Sequence, residues 1–164
     1  MDSQSKFAAY VRNFIFGVED SLVSTAGLLS GVAAANIPKE TIIVTGVVLI
    51  FVEAFSMAMG SFLSESSAED YLHKRHVPHH VSIRASIIMF FSYFLSGFIP
   101  LFPYLVWPIE YSFWISISIS LIALFVLGTV SARMINTNPL RQGTRMFLIG
   151  GIALIVGVVV GTIL

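Results

Sequence analysis

Three carboxylates stand inside apolar stretches of the chain, at Glu19, Asp20 and Glu53. An ionisable group at membrane depth costs several kcal/mol, roughly 2.5–3.5 on insertion scales, so such groups are rare and usually functional. Met57 follows Glu53 by one helical turn, on the same helix face. A carboxylate and a thioether form a ligand pair for a soft-to-borderline divalent metal. Glu53, Met57, Gly60 and Ser64 fall at i, i+4, i+7 and i+11, one stripe of an otherwise apolar helix flanked by Ser56 and Ser61. Asp20 and Ser24 share a second face, which Gly27 and Gly31 continue. Structural readings compete with these. Glu53 could serve only to hydrogen-bond a neighbouring helix, although burying it for that alone is expensive. Met57 on its own would be core filler. Glu19 and Asp20 could mark a kink or a cytoplasmic vestibule, since Arg12 lies two turns below. The pattern favours metal binding for Asp20, Glu53 and Met57. Glu19, on a different face, reads as the partner of an arginine, and Met59 as packing.

A second group follows in the polar stretch from Glu65 to His80, which holds all four histidines. Glu65, Glu69 and His73 sit at i, i+4 and i+8 if the helix continues, and His76, His79 and His80 come next. Imidazole and carboxylate suit Fe, Mn and Zn, so Glu65, Glu69, His73 and His76 form a candidate cytosolic metal-capture set. The competing reading is a solvated loop whose Lys74 and Arg75 touch lipid headgroups. The His-Pro-His-His run has no standard zinc-site spacing.

The elements that carry these residues are membrane helices. The chain has 164 residues, 56% hydrophobic and 11% charged, with mean hydropathy +0.88. No ordinary soluble domain has that balance. The pattern predicts an all-α, polytopic membrane protein, a single domain of five spans at about 7–35, 41–63, 81–103, 112–134 and 144–164. The second span is expected to continue as a helix through Tyr71, and the third to end at Pro100 and Pro103. Asn36, Ile37 and Pro38 should end the first. Tyr104, Trp107, Tyr111 and Trp114 read as an aromatic belt at an interface. The alternation Ile115-Ser-Ile-Ser-Ile-Ser reads as a helix whose serines bond their own i−4 carbonyls. Gly27 with Gly31, and Gly157 with Gly161, are small-xxx-small pairs, compatible with a subunit interface and equally with packing inside one chain.

With the N-terminus inside, the inner segments hold Lys6, Arg12, Lys74, Arg75, Arg84, Arg133, Arg141 and Arg145, against Lys39 alone outside. The positive-inside rule therefore places the N-terminus in the cytoplasm and the C-terminus outside. The polar first twelve residues and the long acid-bearing span behind them do not read as a signal peptide. Zero net charge and the lack of a basic block argue against nucleic acid. The absence of cysteine removes thiolate chemistry. No nucleophile–base set, P-loop or Rossmann unit is visible, so the chain does not read as an enzyme and implies no cofactor.

The motifs resemble those of the vacuolar iron transporter family. Phe16-Gly-Val-Glu-Asp20-Ser-Leu-Val-Ser through Gly31 is similar to its first helix, and Ala54-Phe-Ser-Met57-Ala-Met-Gly60 to its second. Leu95-Ser-Gly-Phe-Ile-Pro100-Leu-Phe-Pro103-Tyr resembles its third, and Asn138-Pro-Leu-Arg through Gly150-Gly the turn into its last. The resemblance covers nearly the whole chain in order and is that of a short bacterial or archaeal type. It implies five membrane helices, a homodimer, and export of Fe²⁺ from the cytosol in exchange for protons, with Mn²⁺ as further cargo. It also implies that Asp20 and Met57 line the ion path. Three positions depart from the pattern. The family glycine after the aspartate is Ser21, and a frequent glutamate is Ser61. Glu53 stands where the family has a small residue, while eukaryotic members place an acid one turn earlier, at Leu49 here. Only about 17 residues join the second and third spans, where many relatives insert a helical metal-binding domain. The expected partners are lipid, divalent metal and a second copy, in the cell membrane if the source is prokaryotic. A metal-binding membrane sensor or assembly protein without transport is the alternative.

Overall fold

The computed structural model describes residues 3–73 and 80–163, and all of its regular structure there is helical. Helix α1 spans Ser3–Ala34, α2 Lys39–His73, α3 His80–Val106, α4 Ile109–Met134 and α5 Pro139–Ile163. All five are long and apolar enough to cross a membrane. In lipid every backbone polar group must be satisfied within the protein, and a helix does that inside one segment. The chain is an integral, multi-pass membrane protein of all-α class.

The turns follow from residue chemistry. Asn36 and Asn136 are the non-glycine residues with positive φ, 57° and 54°. Each follows a helix end, and asparagine tolerates this left-handed conformation best among non-glycine residues. At α1 the Ile37 amide reaches back to the Val32 carbonyl, and at α4 the Thr137 amide to Ala132, so both exits satisfy orphan carbonyls in the same way. Asn138 caps α5 by accepting from the Arg141 amide at 3.2 Å, and Pro139 takes the first helical position, where its missing N–H costs nothing. That cap starts α5 five residues before the expected 144.

Helix α3 runs through Pro100 and Pro103 to Val106 instead of ending there. Hydroxyls of α4 bond to this stretch of α3. Ser116 of α4 donates to the Pro100 carbonyl at 2.7 Å and Ser112 to that of Pro103 at 2.9 Å. Neither bond reaches the Ser96 or Ile99 carbonyls, which lose their amide partners to the prolines, so these hydroxyls join α3 to α4 rather than repair the helix. Of the alternating serines, Ser120 donates to its i−4 carbonyl as expected, whereas Ser116 bonds across to α3 and Ser118 faces outward. The aromatic belt also needs one correction: Trp107, Tyr111 and Trp114 are exposed, but Tyr104 is fully buried with Leu29, Ile42, Ile50 and Leu101.

Helix α1 packs against all four others. Its Gly27 and Gly31 meet Gly157 and Gly161 of α5 backbone to backbone; a Cβ on Gly157 would come within 2.6 Å of the Gly27 carbonyl oxygen. These glycine faces are therefore spent inside one chain. Toward α3, Gly17 lies under Ser92 and Met89, and Ser21 donates to the Tyr93 carbonyl at 2.7 Å. Ser21 thus ties α1 to α3.

Candidate functional site

The start of α1 and the end of α2 share one end of the bundle, where Asn13–Ser61 and Arg12–Glu65 join them. A cavity of about 920 Å³ opens there. Two helices in register build it. On α2, Met57, Ser61, Glu65 and Glu69 line it, and Gly60 leaves space, with nothing within 4 Å of where a Cβ would stand. On α1, Arg12, Asn13 and Glu19 line it, and Met89 enters from α3. The cavity thus presents three carboxylates and two thioethers.

Hydrogen bonds fix much of this lining. Asn13 is buried and reaches Glu65 Oε1 at 3.1 Å and the Ala9 carbonyl at 2.9 Å through its Nδ2, while Ser61 donates to its Oδ1. Arg12 pairs with the same Glu65 oxygen. Glu69 is buried and accepts from Ser82 of α3 at 2.9 Å. Carboxylates held this way are acceptors with lone pairs to spare.

Asp20 and Glu53 lie elsewhere. Asp20 lines a smaller cavity of about 200 Å³ between α1 and α5, with Glu19, Val23 and Gly150 among its neighbours. Glu53, half-buried, lines neither cavity. The two carboxylates are near enough for their charges to interact, and both act on Tyr93, whose hydroxyl pairs with Ser24 at 2.7 Å. Because α1 and α2 run antiparallel, one turn up from Met57 on α2 meets Asp20 on α1. The structure therefore separates Met57, which faces the large cavity, from the Asp20–Glu53 pair deeper in the bundle.

Glu19, expected from its helix face to be the partner of an arginine, also borders open space. It lines both cavities, with Asp20 and Arg145 acting on it electrostatically. A wider reading of α1 would have found it, since Asn13, Phe16 and Asp20 follow helical spacing and Glu19 borders that stripe. Met89 gave no signal, because a lone methionine in an apolar helix looks like packing. The capture set is only partly placed. Glu65 and Glu69 line the cavity, but the His73 side chain and His76 lie outside the described residues, as does His79, and His80 is exposed. Among the described residues, no three His, Asp or Glu side chains converge on one point. The arrangement offers successive weak stations of carboxylate and thioether rather than one closed cage.

A profile of the VIT family matches residues 11–79 and 74–162. Vacuolar iron transporter 1 of Tulipa gesneriana is 23% identical, with 87% of this chain and 82% of that protein covered. Vacuolar iron transporter 1 of Arabidopsis thaliana is also 23% identical, with 87% and 81% covered. Vacuolar iron transporter homolog 3 of Arabidopsis thaliana is 41% identical over 66 residues, 40% of this chain and 33% of that protein. The first two alignments run over 203 positions, more than the 164 residues of this chain, so those relatives carry additional residues. The two profile stretches meet at the connection between α2 and α3, the loop that is short here. With nearly every residue from α1 to α5 inside that match, and with a glycine-packed α1 and an acid-lined cleft against α2, the chain belongs to the VIT family.

Proposed function

We propose that the protein exports Fe²⁺ from the cytosol, with Mn²⁺ as a further cargo, in exchange for protons. The observation that carries this reading is the cavity lined by Glu19, Glu65, Glu69 and Met57, with Glu19 also lining the smaller cavity that holds Asp20. Oxygen and sulfur ligands of this kind suit Fe²⁺. Relatives named vacuolar iron transporters cover four-fifths of their own length with this chain, which supports metal as cargo. A carboxylate binds metal only when ionised, so metal and protons compete for Asp20 and Glu53. That competition couples the two fluxes without further machinery. The arginines Arg12, Arg84, Arg133, Arg141 and Arg145 favour an orientation with the cavity facing the cytosol.

The working unit in this reading is a homodimer. The polar stripe of α2 is uncovered in one chain: Ser56, Gly60 and Ser64 are exposed, and Glu53 and Met57 only half-buried. Polar groups facing hydrocarbon are costly, so a second copy covering this face both shields the stripe and completes a path. The glycine pairs do not supply that interface, since they are used between α1 and α5.

The decisive experiment is Fe²⁺ or Mn²⁺ uptake into inside-out vesicles under an imposed pH gradient, with proton movement followed in parallel. Metal uptake that depends on the gradient and consumes it is the expected result. Metal binding without any flux would replace this reading with a membrane sensor.

A further inference from the structure

Glu65 of the large cavity is paired with the Arg12 guanidinium. Its side chain is only 11% exposed, whereas the Arg12 side chain that pairs with it is 67% exposed. Arg12 has no other hydrogen bond or ion pair among the described residues. Glu65, by contrast, is fixed independently by Asn13, which Ser61 and the Ala9 carbonyl hold in turn. The two partners are therefore unequal: a rigid acceptor set in the cavity wall, and a long, solvated cation resting on it. With the Arg12 guanidinium largely in water, the contact is screened and does little for the fold.

We propose that Arg12 is a tethered competitor for the cation site at Glu65 and sets the cavity's affinity for divalent metal. With the cavity empty, the guanidinium neutralises Glu65. A divalent ion arriving at Glu65 displaces it, and the arginine swings into water on its flexible stem. Glu65, Asn13 and Ser61 stay in place throughout, so the exchange needs no helix movement. A double charge on a small ion competes with a guanidinium far better than a single charge does, so Arg12 also screens out monovalent cations. The displaced positive charge at the mouth then favours passage of the metal inward, toward Glu19 and Met57, over its return. The inference rests on the reading of this cavity as the place where metal is taken up.

The test is titration of the purified full chain with Mn²⁺, following the free-ion electron paramagnetic resonance signal, independent of any transport assay. Arg12→Gln should bind Mn²⁺ several-fold more tightly than the parent, and Arg12→Lys, which keeps the charge, should stay near the parent. In the Glu65→Gln background, Arg12→Gln should no longer tighten binding. Arg12→Met, which keeps the stem and its packing, carries the same expectation should Arg12→Gln fail to fold. Unchanged or weaker binding in the neutral variants, with the parent binding normally, overturns the inference alone and leaves the cavity's function standing. Absence of Mn²⁺ binding by the parent and by the neutral variants overturns both.

Discussion

The two sides of α1 are built on opposite principles. Toward α5, glycines bring backbones into contact: Gly27 and Gly31 against Gly157 and Gly161, with no side chain between. Toward α2, the same helix stands off from a cavity of about 920 Å³, with polar side chains on both walls. In a membrane there is little hydrophobic drive between helices, so association depends on close packing and hydrogen bonds. The α5 side uses close packing fully, and α3 adds the Ser21–Tyr93 bond. The α2 side instead relies on a few side-chain bonds around Asn13 and Glu65. A helix anchored on one side and loosely held on the other can admit an ion without losing its place.

Substitution at the glycines breaks that contrast most directly. Gly157→Leu must displace the Gly27 carbonyl, which belongs to backbone and cannot rotate away. Overpacking of this kind costs ~3 kcal/mol or more, and the expected result is loss of monodisperse protein or a large fall in melting temperature. Gly60→Leu meets nothing within 4 Å inside one chain, so any cost there comes from the proposed second copy and should be much the smaller of the two. Equal destabilisation by the two would show that the α2 face is packed rather than open.

Removing the exchangeable charges comes next. Asp20→Asn and Glu53→Gln keep shape and hydrogen bonding. Each is expected to abolish gradient-driven metal uptake while the protein still melts as the parent does. Wild-type flux in Glu53→Gln would assign that residue to structure and leave Asp20 to act without it.

The sequence made the helices and the α2 stripe legible because both rest on local periodicity. Five apolar runs and the spacing of Glu53, Met57 and Gly60 needed no knowledge of neighbours. The features it hid depend on which helix faces which. The glycine pairs were visible, but not that they pack on each other. Pro100 and Pro103 looked like an end because the packing of α4 on this stretch, through Ser112 and Ser116, is not visible in local sequence. Met89 joined the cavity through tertiary placement alone, whereas Glu19 borders the helical stripe of Asn13, Phe16 and Asp20. Tyr104 has the composition of an interface residue, yet it is buried because α3 continues past its prolines.

A smaller effect is expected on the closed side of α1. Ser21→Gly removes the hydrogen bond to Tyr93 and adds a helix glycine. Each change costs about 1 kcal/mol, so thermal stability should fall modestly. Metal flux should persist, because Ser21 faces α3 rather than the cleft. Loss of flux with unchanged melting would mean that the Ser21–Tyr93 contact positions Asp20, one residue away.

The smallest effect belongs to Met57, and it separates ligand from filler on the open side. Met57 lines the large cavity beside Ser61 and Glu65, one turn from Glu53. A thioether is a weak, soft ligand, so it should shift preference among metals more than it supports transport itself. Fe²⁺ gains more from sulfur than the harder Mn²⁺, Mg²⁺ or Ca²⁺. Met57→Leu conserves volume and removes only the sulfur, at a cost below ~1.5 kcal/mol to the fold. The Fe²⁺ to Mn²⁺ flux ratio, measured in the same vesicles with both ions present, should fall about threefold, equivalent to ~0.7 kcal/mol of preference. Total divalent flux should change less than that ratio. If the ratio holds while both fluxes fall together, Met57 shapes the cavity without touching the ion, and selectivity must come from the carboxylates alone.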